Sequence, residues 1–395
     1  MSSDYRDRFH IPKGPDGSDT AYLCGHSLGL QPKSVRAYIE QELKDWEVLG
    51  VEGHFRARHP WVRYNELLAD KTARLVGAKP IEVVAMNSLT VNLHLMMVSF
   101  YRPTDQRRRI AIEENAFPSD QYAVKSQIRF HGYDPAESLV AVAGEDELED
   151  LLDREGESVA LVLIGGINYS SGRAFDLHRV TRAGHAVGCL VGFDLAHAAG
   201  NLALQLHDWD ADFAVWCTYK YLNGGPGNIA GCFVHDRHAR DESLPRLAGW
   251  WGHDPETRFR MGPDFQATPG AEGWQVSNPP VVALAALRAA MDLFDEAGMD
   301  RLRARSVELT GYLESSLDRH ADRGFTIVTP RDPERRGAQL SIRVPGSVRA
   351  VWERLAAAGV VCDWREPDIL RIAPAPLYNA FEDIDRFVDC FVRSL

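Results

Sequence analysis

The sequence predicts an α/β protein: a large domain with a mainly parallel sheet between helices, followed by a smaller α+β domain. Short, continuously apolar runs alternate with helix-like segments through most of the chain, as strands buried on both faces of a parallel sheet do. After Pro279-Pro280 the texture changes to long helical patterns with isolated strand-like stretches between them.

In chain order, helical patterns fall at 34–49, 66–76, 90–101 and 145–154. Apolar strand-like runs fall at 110–112, 159–164, 189–193, 213–217 and 231–234. An Ala/Leu-rich helix at 281–297 opens the second texture, and Leu302, Leu309, Leu313 and Leu317 mark another. Strands at 325–328, 339–344 and 370–373, with a helix at 348–358, come next. At the end, Phe381, Ile384, Phe387, Val388, Phe391, Val392 and Leu395 form one helical stripe. This divides the chain into an N-terminal segment, 1–60, a large domain, 61–289, and a small domain, 290–395. The first segment is expected to pack with the small domain or across a subunit interface.

Composition narrows the class. With 45% hydrophobic and 25% charged residues in 395, the chain is not disordered. The longest apolar run, 159–167, has nine residues, against the roughly 18 a membrane span needs. Residues 1–7 are polar and charged, without the apolar core of a signal peptide. A cytoplasmic protein with no membrane partner is the expectation. The net charge of −12 disfavours nucleic acid, and Arg107-Arg108-Arg109 reads as the solvated start of a strand. The six cysteines include no C-x-x-C pair and suit a reducing compartment. His235 and His238 have H-x-x-H spacing, but the charged stretch around them reads as a surface loop, so no metal is expected.

The most informative stretch runs from 191 to 227. Asp194 ends an apolar strand, the end at which open α/β sheets bind ligands. His197 lies three residues on, within reach of the same pocket if the chain turns helically. Lys220 follows the apolar run 213–217 and precedes Asn223-Gly224-Gly225-Pro226-Gly227. An amine there can form a Schiff base with an aldehyde, and pyridoxal phosphate (PLP) enzymes pair such a lysine with an acid for the pyridinium nitrogen. The alternative is a lysine snorkelling from a strand edge. Ser88 or Thr90 can cap the helix after a strand-like segment, either as an ordinary N-cap or to present N–H groups to a phosphate. Arg371 stands in a strand where a guanidinium can hold a carboxylate in bidentate fashion, whereas Arg173 serves a turn.

The segments GHSLGLQPKSV, EGHFRARHPW, NSLTVNLHLMM, AFPSDQYA, GFDLAHAAGN, WCTYKYLNGGPG, GWWGH, QVSNPP and LRIAPAPLYNAFEDI, nine in this order, resemble kynureninase over nearly the whole chain. The resemblance implies an aspartate-aminotransferase-like fold of type I, PLP as cofactor and a homodimer with shared active sites. It implies hydrolytic Cβ–Cγ cleavage of an aryl-ketone amino acid, giving an anthranilate-type acid and alanine. By resemblance, Lys220 carries the cofactor and moves the substrate proton. Asp194 holds the pyridine nitrogen protonated, His197 meets the cofactor and substrate, and Tyr219 contacts the phosphate. Phe117 stacks on the ring with Asp120 beside it, and Leu89 and Thr90 form the phosphate turn. Trp250 and Asn278 match residues that reach the site from a partner subunit, and Arg371 matches the arginine for the α-carboxylate. His54 and Asn278, with Ser27, match positions around the aromatic ring that favour 3-hydroxykynurenine; the bland alternative is that they pack with Trp61. Two departures stand out: His26 where many relatives carry asparagine, and Gly165 where they place a hydroxyl. In the second case either one cofactor hydrogen bond is missing or Ser170 or Ser171 replaces it. The base that activates water is left open among a tyrosine, a bound water and the cofactor phosphate. The rivals are a cysteine desulfurase-like lyase and a non-catalytic PLP-binding protein. The first needs a reactive cysteine in the C-terminal third, where only Cys362 and Cys390 occur. The second is expected to lose Lys220, Asp194 or Arg371, all of which are present.

Overall fold

The computed structural model describes residues 5–395. Its centre is a seven-stranded sheet of β1 (Val83–Met86), β2 (Arg109–Glu113), β3 (Leu139–Val142), β4 (Val159–Gly165), β5 (Leu190–Asp194), β6 (Phe213–Trp216) and β7 (Ala230–Val234). The spatial order is β1-β7-β6-β5-β4-β2-β3. Strands β2 to β6 are parallel, and β7 runs antiparallel to both β6 and β1. The C-terminal ends of β1, β2, β4, β5 and β6 therefore share one edge. The apolar runs that predicted strands are those buried on both faces: every residue of β4, β6 and β7 is buried. At Gly192 in β5 a Cβ would come within 2.0 Å of the Phe213 ring, so glycine lets the two neighbouring strands pair here.

Among the elements that were not expected, three have a plain physical reason. β3 is a half-exposed edge strand of four residues. Helix Pro118–Phe130 buries a polar mixture, Asp120, Ala123, Val124, Gln127 and Ile128. Helix Leu177–Ala186 faces the core with Leu177, Val180, Thr181 and Gly184. In both helices small or polar residues on the buried face blur the 3.6-residue apolar period.

The C-terminal part has its own core, in which Leu309, Leu313 and Leu317 meet Ile384, Phe387 and Phe391. Around it lies an antiparallel sheet ordered Asp363–Arg365, Ile369–Ile372, Leu340–Arg343, Thr326–Ile327. The N-terminal segment joins both parts. Ala21–Tyr22 pairs in parallel with Val360–Val361, and helix Val35–Leu49 packs along Val281–Ala297.

The His235/His238 stretch is not the exposed loop expected. His235 is buried and its ring stacks on His207 at 4.8 Å. His238 Nε2 lies 2.8 Å from Asp212, which also meets His185 and Arg237. Burial opposes ionisation of Asp212, but His185, His238 and Arg237 hold it far below the usual carboxylate range. The folded pKa is depressed, so the stabilisation is present above the unfolded value near 4 and is lost as pH falls below it. Asp212→Asn is expected to destabilise the fold by about 3 kcal/mol at pH 7. In urea melts the difference from the parent should shrink as pH drops below about 4.

Candidate active site

At the shared strand edge, the ends of β2, β4, β5 and β6 and the starts of two helices enclose a cleft of about 200 Å³. Leu89, Thr90, Glu113, Phe117, Asp120, Gly165, Tyr169, Asp194, His197, Tyr219 and Lys220 line it. The local folds that deliver them follow from sequence. After β1, Asn87 takes a left-handed turn at φ 47° and Ser88 is extended, so helix Leu89–Phe100 begins with its free N–H groups at the cleft. Neither Ser88 nor Thr90 caps that helix through its side chain: Ser88 makes no capping bond, and Thr90 Oγ1 lies 2.9 Å from Ser119 Oγ. After β2, Pro118 occupies the first turn of its helix, where its missing N–H costs nothing, and Asp120 follows on the buried side.

The turn after β5 is not a continuing helix, but it brings His197 to the cleft with Asp194 as expected. Asp194 is 8% exposed and its Oδ1 accepts from Ala196 N at 2.7 Å. His197 Nε2 lies 3.2 Å from Lys220 Nζ. Lys220 Nζ also stands 5.9 Å from the ring centres of both Phe117 and Tyr219. The Lys220 loop is held by the N-terminal segment: Gly29 N donates to Tyr219 O at 2.8 Å.

Electrostatics here are unusual. Burial, then the Asp194 charge, raises Asp120 well above the carboxylate range. Burial also raises Asp194, opposed by the Ala196 N–H, Lys220 and a hydrogen bond from Asp120. Of the two, Asp120 is pushed up the further, because it faces the Asp194 charge whereas Asp194 has the Ala196 N–H and Lys220 beside it. Burial lifts Glu113 to about 7 and Tyr219 to about 12, and pushes His197 well down, so its ring is neutral. Three carboxyl groups thus gather around one amine in a buried cleft. Asp120 Oδ1 and His197 Nδ1 are buried without a partner in the chain. Those orphaned atoms, the amine and the helix N-terminus fit a ligand with a protonated ring nitrogen, an aldehyde and an anionic tail, as PLP has.

Glu113 was not among the expected residues. Its Oε2 accepts from Gly165 N, 2.6 Å, and a Cβ on Gly165 would meet Oε1 at 2.6 Å. Glu113 fills the room beside Gly165 that a hydroxyl side chain would take. Ser170 and Ser171 are not among the residues lining the cleft; their N–H groups bond Asn168 Oδ1. A charged residue ending an apolar strand was the available signal for Glu113, as it was for Asp194.

The remaining expected residues lie outside the cleft. Arg371 is 1% exposed and donates through Nη1 to Tyr169 O at 2.8 Å, so a cleft residue separates it from the cavity. Ser27 hydrogen-bonds Arg371 and Asp363. His54 packs edge-on against Trp61 at 5.4 Å. Asn278 is exposed, and Trp250 is half-exposed with its ring against Phe259. Arg173 does more than serve a turn: it pairs with buried Glu145 and donates to Ala143 O.

Known proteins match this chain closely. A kynureninase from Koribacter versatilis is 64% identical over all of the chain and 95% of its own length. One from Myxococcus xanthus is 61% identical, covering 97% of the chain and 92% of that protein. The chain belongs to the kynureninase family. The Kynureninase C-terminal domain family matches residues 302–391, the part with the separate core. Among solved structures, an apo cysteine desulfurase from Thermococcus onnurineus NA1 superimposes with TM-score 0.81 at 17% identity, covering 100% of the chain and 99% of the other. A C-DES mutant with glycine covalently linked to its PLP cofactor gives 0.80 at 17% identity, covering 98% of each chain. The kynureninase-family chain thus has the fold-type-I architecture expected from sequence. At that identity the desulfurases share its fold.

Proposed function

We propose that this chain is a PLP-dependent kynureninase, adding water across the Cβ–Cγ bond of kynurenine or 3-hydroxykynurenine to give an anthranilate and alanine. The observation that carries the reading is the meeting of Lys220, His197, Asp194 and Asp120 in one buried cleft at the carboxyl edge of the sheet. PLP supplies the electron sink for carbanion character at the substrate's Cα and Cβ. Lys220 would hold the cofactor through its Nζ and would move the proton of the substrate's Cα. Asp194, with Asp120 beside it, would favour the protonated form of the pyridine nitrogen. Phe117 would pack on the cofactor ring, and neutral His197 would face its phenolic oxygen. The N–H groups at Leu89 and Thr90, with Tyr219, hold the phosphate, and Arg371 holds the α-carboxylate.

The finer details are part of the same proposal. The protein is a cytoplasmic homodimer in which Trp250 and Asn278 serve the neighbouring subunit's site. Exposed aromatic groups support this: Phe55 and Phe259 lie 6.0 Å apart beside Trp250, a patch suited to burial against a second copy. No helix among the described residues is long and apolar enough to cross a membrane. The division into an N-terminal segment, 1–60, a large domain and a small C-terminal domain belongs here too, supported by the separate C-terminal core that Ala21 and Leu23 join; the 289/290 boundary falls inside helix Val281–Ala297, whose Leu293, Phe294 and Ala297 pack in the large core. The desulfurase reading finds no support in the thiols. Cys362 is buried and burial raises its thiol well above the ordinary value, while Cys390 sits on the last helix.

The first test is kcat/KM of the PLP-loaded protein for 3-hydroxykynurenine and kynurenine, with anthranilate product read by fluorescence. Absence of product from both overturns the reading. A preference for the hydroxylated substrate is expected from His54, Asn278 and Ser27, since groups built for a hydroxyl are left unpaired without it. Asn278→Thr with His54→Trp should move the ratio toward kynurenine by about tenfold or more. An unchanged ratio removes both residues from the ring pocket.

A further inference from the structure

We propose that Asp363 is a positioning residue for substrate, holding one edge of Arg371 so that the opposite end of the guanidinium takes the α-carboxylate. The inference rests on the carboxylate role given to Arg371 above. Asp363 and Arg371 are register partners on adjacent antiparallel strands, so their side chains share a face of the small sheet. Arg371 Nε donates to Asp363 Oδ1 at 2.7 Å and Nη2 donates to Oδ2. This is a bidentate pair along the side of the guanidinium. At the other end, Nη1 donates to Tyr169 O and Nη2 to Ser27 Oγ, at 2.8 and 3.3 Å. Tyr169 lines the cleft. The Nη1–Nη2 end is thus bonded to a residue of the cleft wall, which separates it from the cavity, while Asp363 holds the Nε–Nη2 side.

Asp363 is itself held in place. His26, fully buried, lies with Nε2 3.0 Å from Asp363 Oδ1. Arg365 approaches Oδ2 at 3.3 Å. Burial and the Arg371 charge push His26 down to about 4, so its ring is neutral and Nε2–H donates to the carboxylate. Burial opposes ionisation of Asp363, yet His26 and Arg371 keep it charged far below the usual range. A guanidinium has five donors, and four of those on Arg371 are engaged in these bonds. Such a group has one orientation before substrate arrives, and an α-carboxylate would take over the Tyr169 O and Ser27 Oγ contacts of its Nη1–Nη2 end while Asp363 keeps the other side in place. The chain of contacts also gives the His26 departure a role: an imidazole reaches Asp363 from the turn that carries Ser27.

The experiment compares Asp363→Asn, Arg371→Ala and the double variant as PLP-loaded enzymes, using kynurenine and its decarboxylated amine. Asp363→Asn is expected to raise KM for kynurenine about tenfold or more, with kcat within about threefold. It should leave the affinity of the decarboxylated amine unchanged and add nothing in the Arg371→Ala background. An unchanged or lowered KM, or an equal effect on the decarboxylated amine, overturns the role of Asp363. If Arg371→Ala itself leaves KM unchanged, the carboxylate role of Arg371 fails, a separate outcome. Should Asp363→Asn not load cofactor, as read by absorbance, His26→Ala carries the test. It removes one hydrogen bond from Asp363 and leaves both charges. A KM rise of about threefold is then expected, and no rise overturns the proposal.

Discussion

Lys220→Ala is expected to lower kcat by at least about 10³-fold and to abolish the visible absorbance of the Schiff base in the purified protein. Lys220 is the only lysine lining the cleft among the described residues. Its Nζ is fixed between the Phe117 and Tyr219 rings and faces neutral His197 at 3.2 Å. No other side chain there offers a nitrogen able to bond covalently to an aldehyde. His197 cannot substitute, because an imidazole has no primary amine with which to form an imine. Added methylamine should restore part of the turnover by supplying the missing nitrogen in solution. Far-UV circular dichroism matching the parent ensures that the loss is chemical. Turnover of the variant without an added amine would remove Lys220 from the reaction.

How much of this site was legible beforehand depended on where each residue sits. Asp194 and Lys220 announced themselves because an ionisable group directly follows an unbroken apolar strand, where burial demands a reason. Leu89, Thr90, Phe117 and Asp120 join them in the cleft because their turns follow neighbouring strand ends. Glu113 has the same sequence signal but sits in Glu113-Glu114, where a second carboxylate makes the pair look like a solvated turn; only the first of the two is buried. Asp363 was hidden differently. Its importance arises from register with Arg371 across a short hairpin, and a strand's cross-partner emerges only once the turn is known. The hairpin does leave a trace, since Asp363 and Arg371 lie equally far from the Pro367 turn with opposite charges. The helices that escaped detection bury polar or small residues, so their amphipathic period is weak, whereas the C-terminal helix buries Ile384, Phe387, Val388 and Phe391 and was plain. The His207–His235 stack and the buried Asp212 cluster bring together residues far apart in sequence, and local charge density alone made that stretch look solvated.

Asp194→Asn is expected to reduce kcat/KM by about 10² to 10³-fold, more than Asp120→Asn does. The two carboxyls are neighbours in one buried site, but their surroundings differ. Asp194 receives the Ala196 N–H and the Lys220 charge, both of which favour its ionised form. Asp120 is pushed toward its protonated form by burial, with no partner for its Oδ1, and then by the Asp194 charge it faces. Asp194 is therefore the member that can oppose a cationic ring nitrogen, and asparagine, nearly equal in size, removes that charge without removing bulk. Losing one partner of a buried charge pair leaves the other uncompensated, so a cationic ring nitrogen there would lose the group that favours its protonated, electron-accepting form. Asparagine at 120 keeps a donor toward Asp194 and removes no charge, so its effect should stay within about tenfold. Steady-state kinetics of the two variants, with PLP occupancy measured separately, decide the matter. If Asp120→Asn proves the more damaging, the ionised partner is Asp120, and the order of protonation argued from their neighbours is reversed.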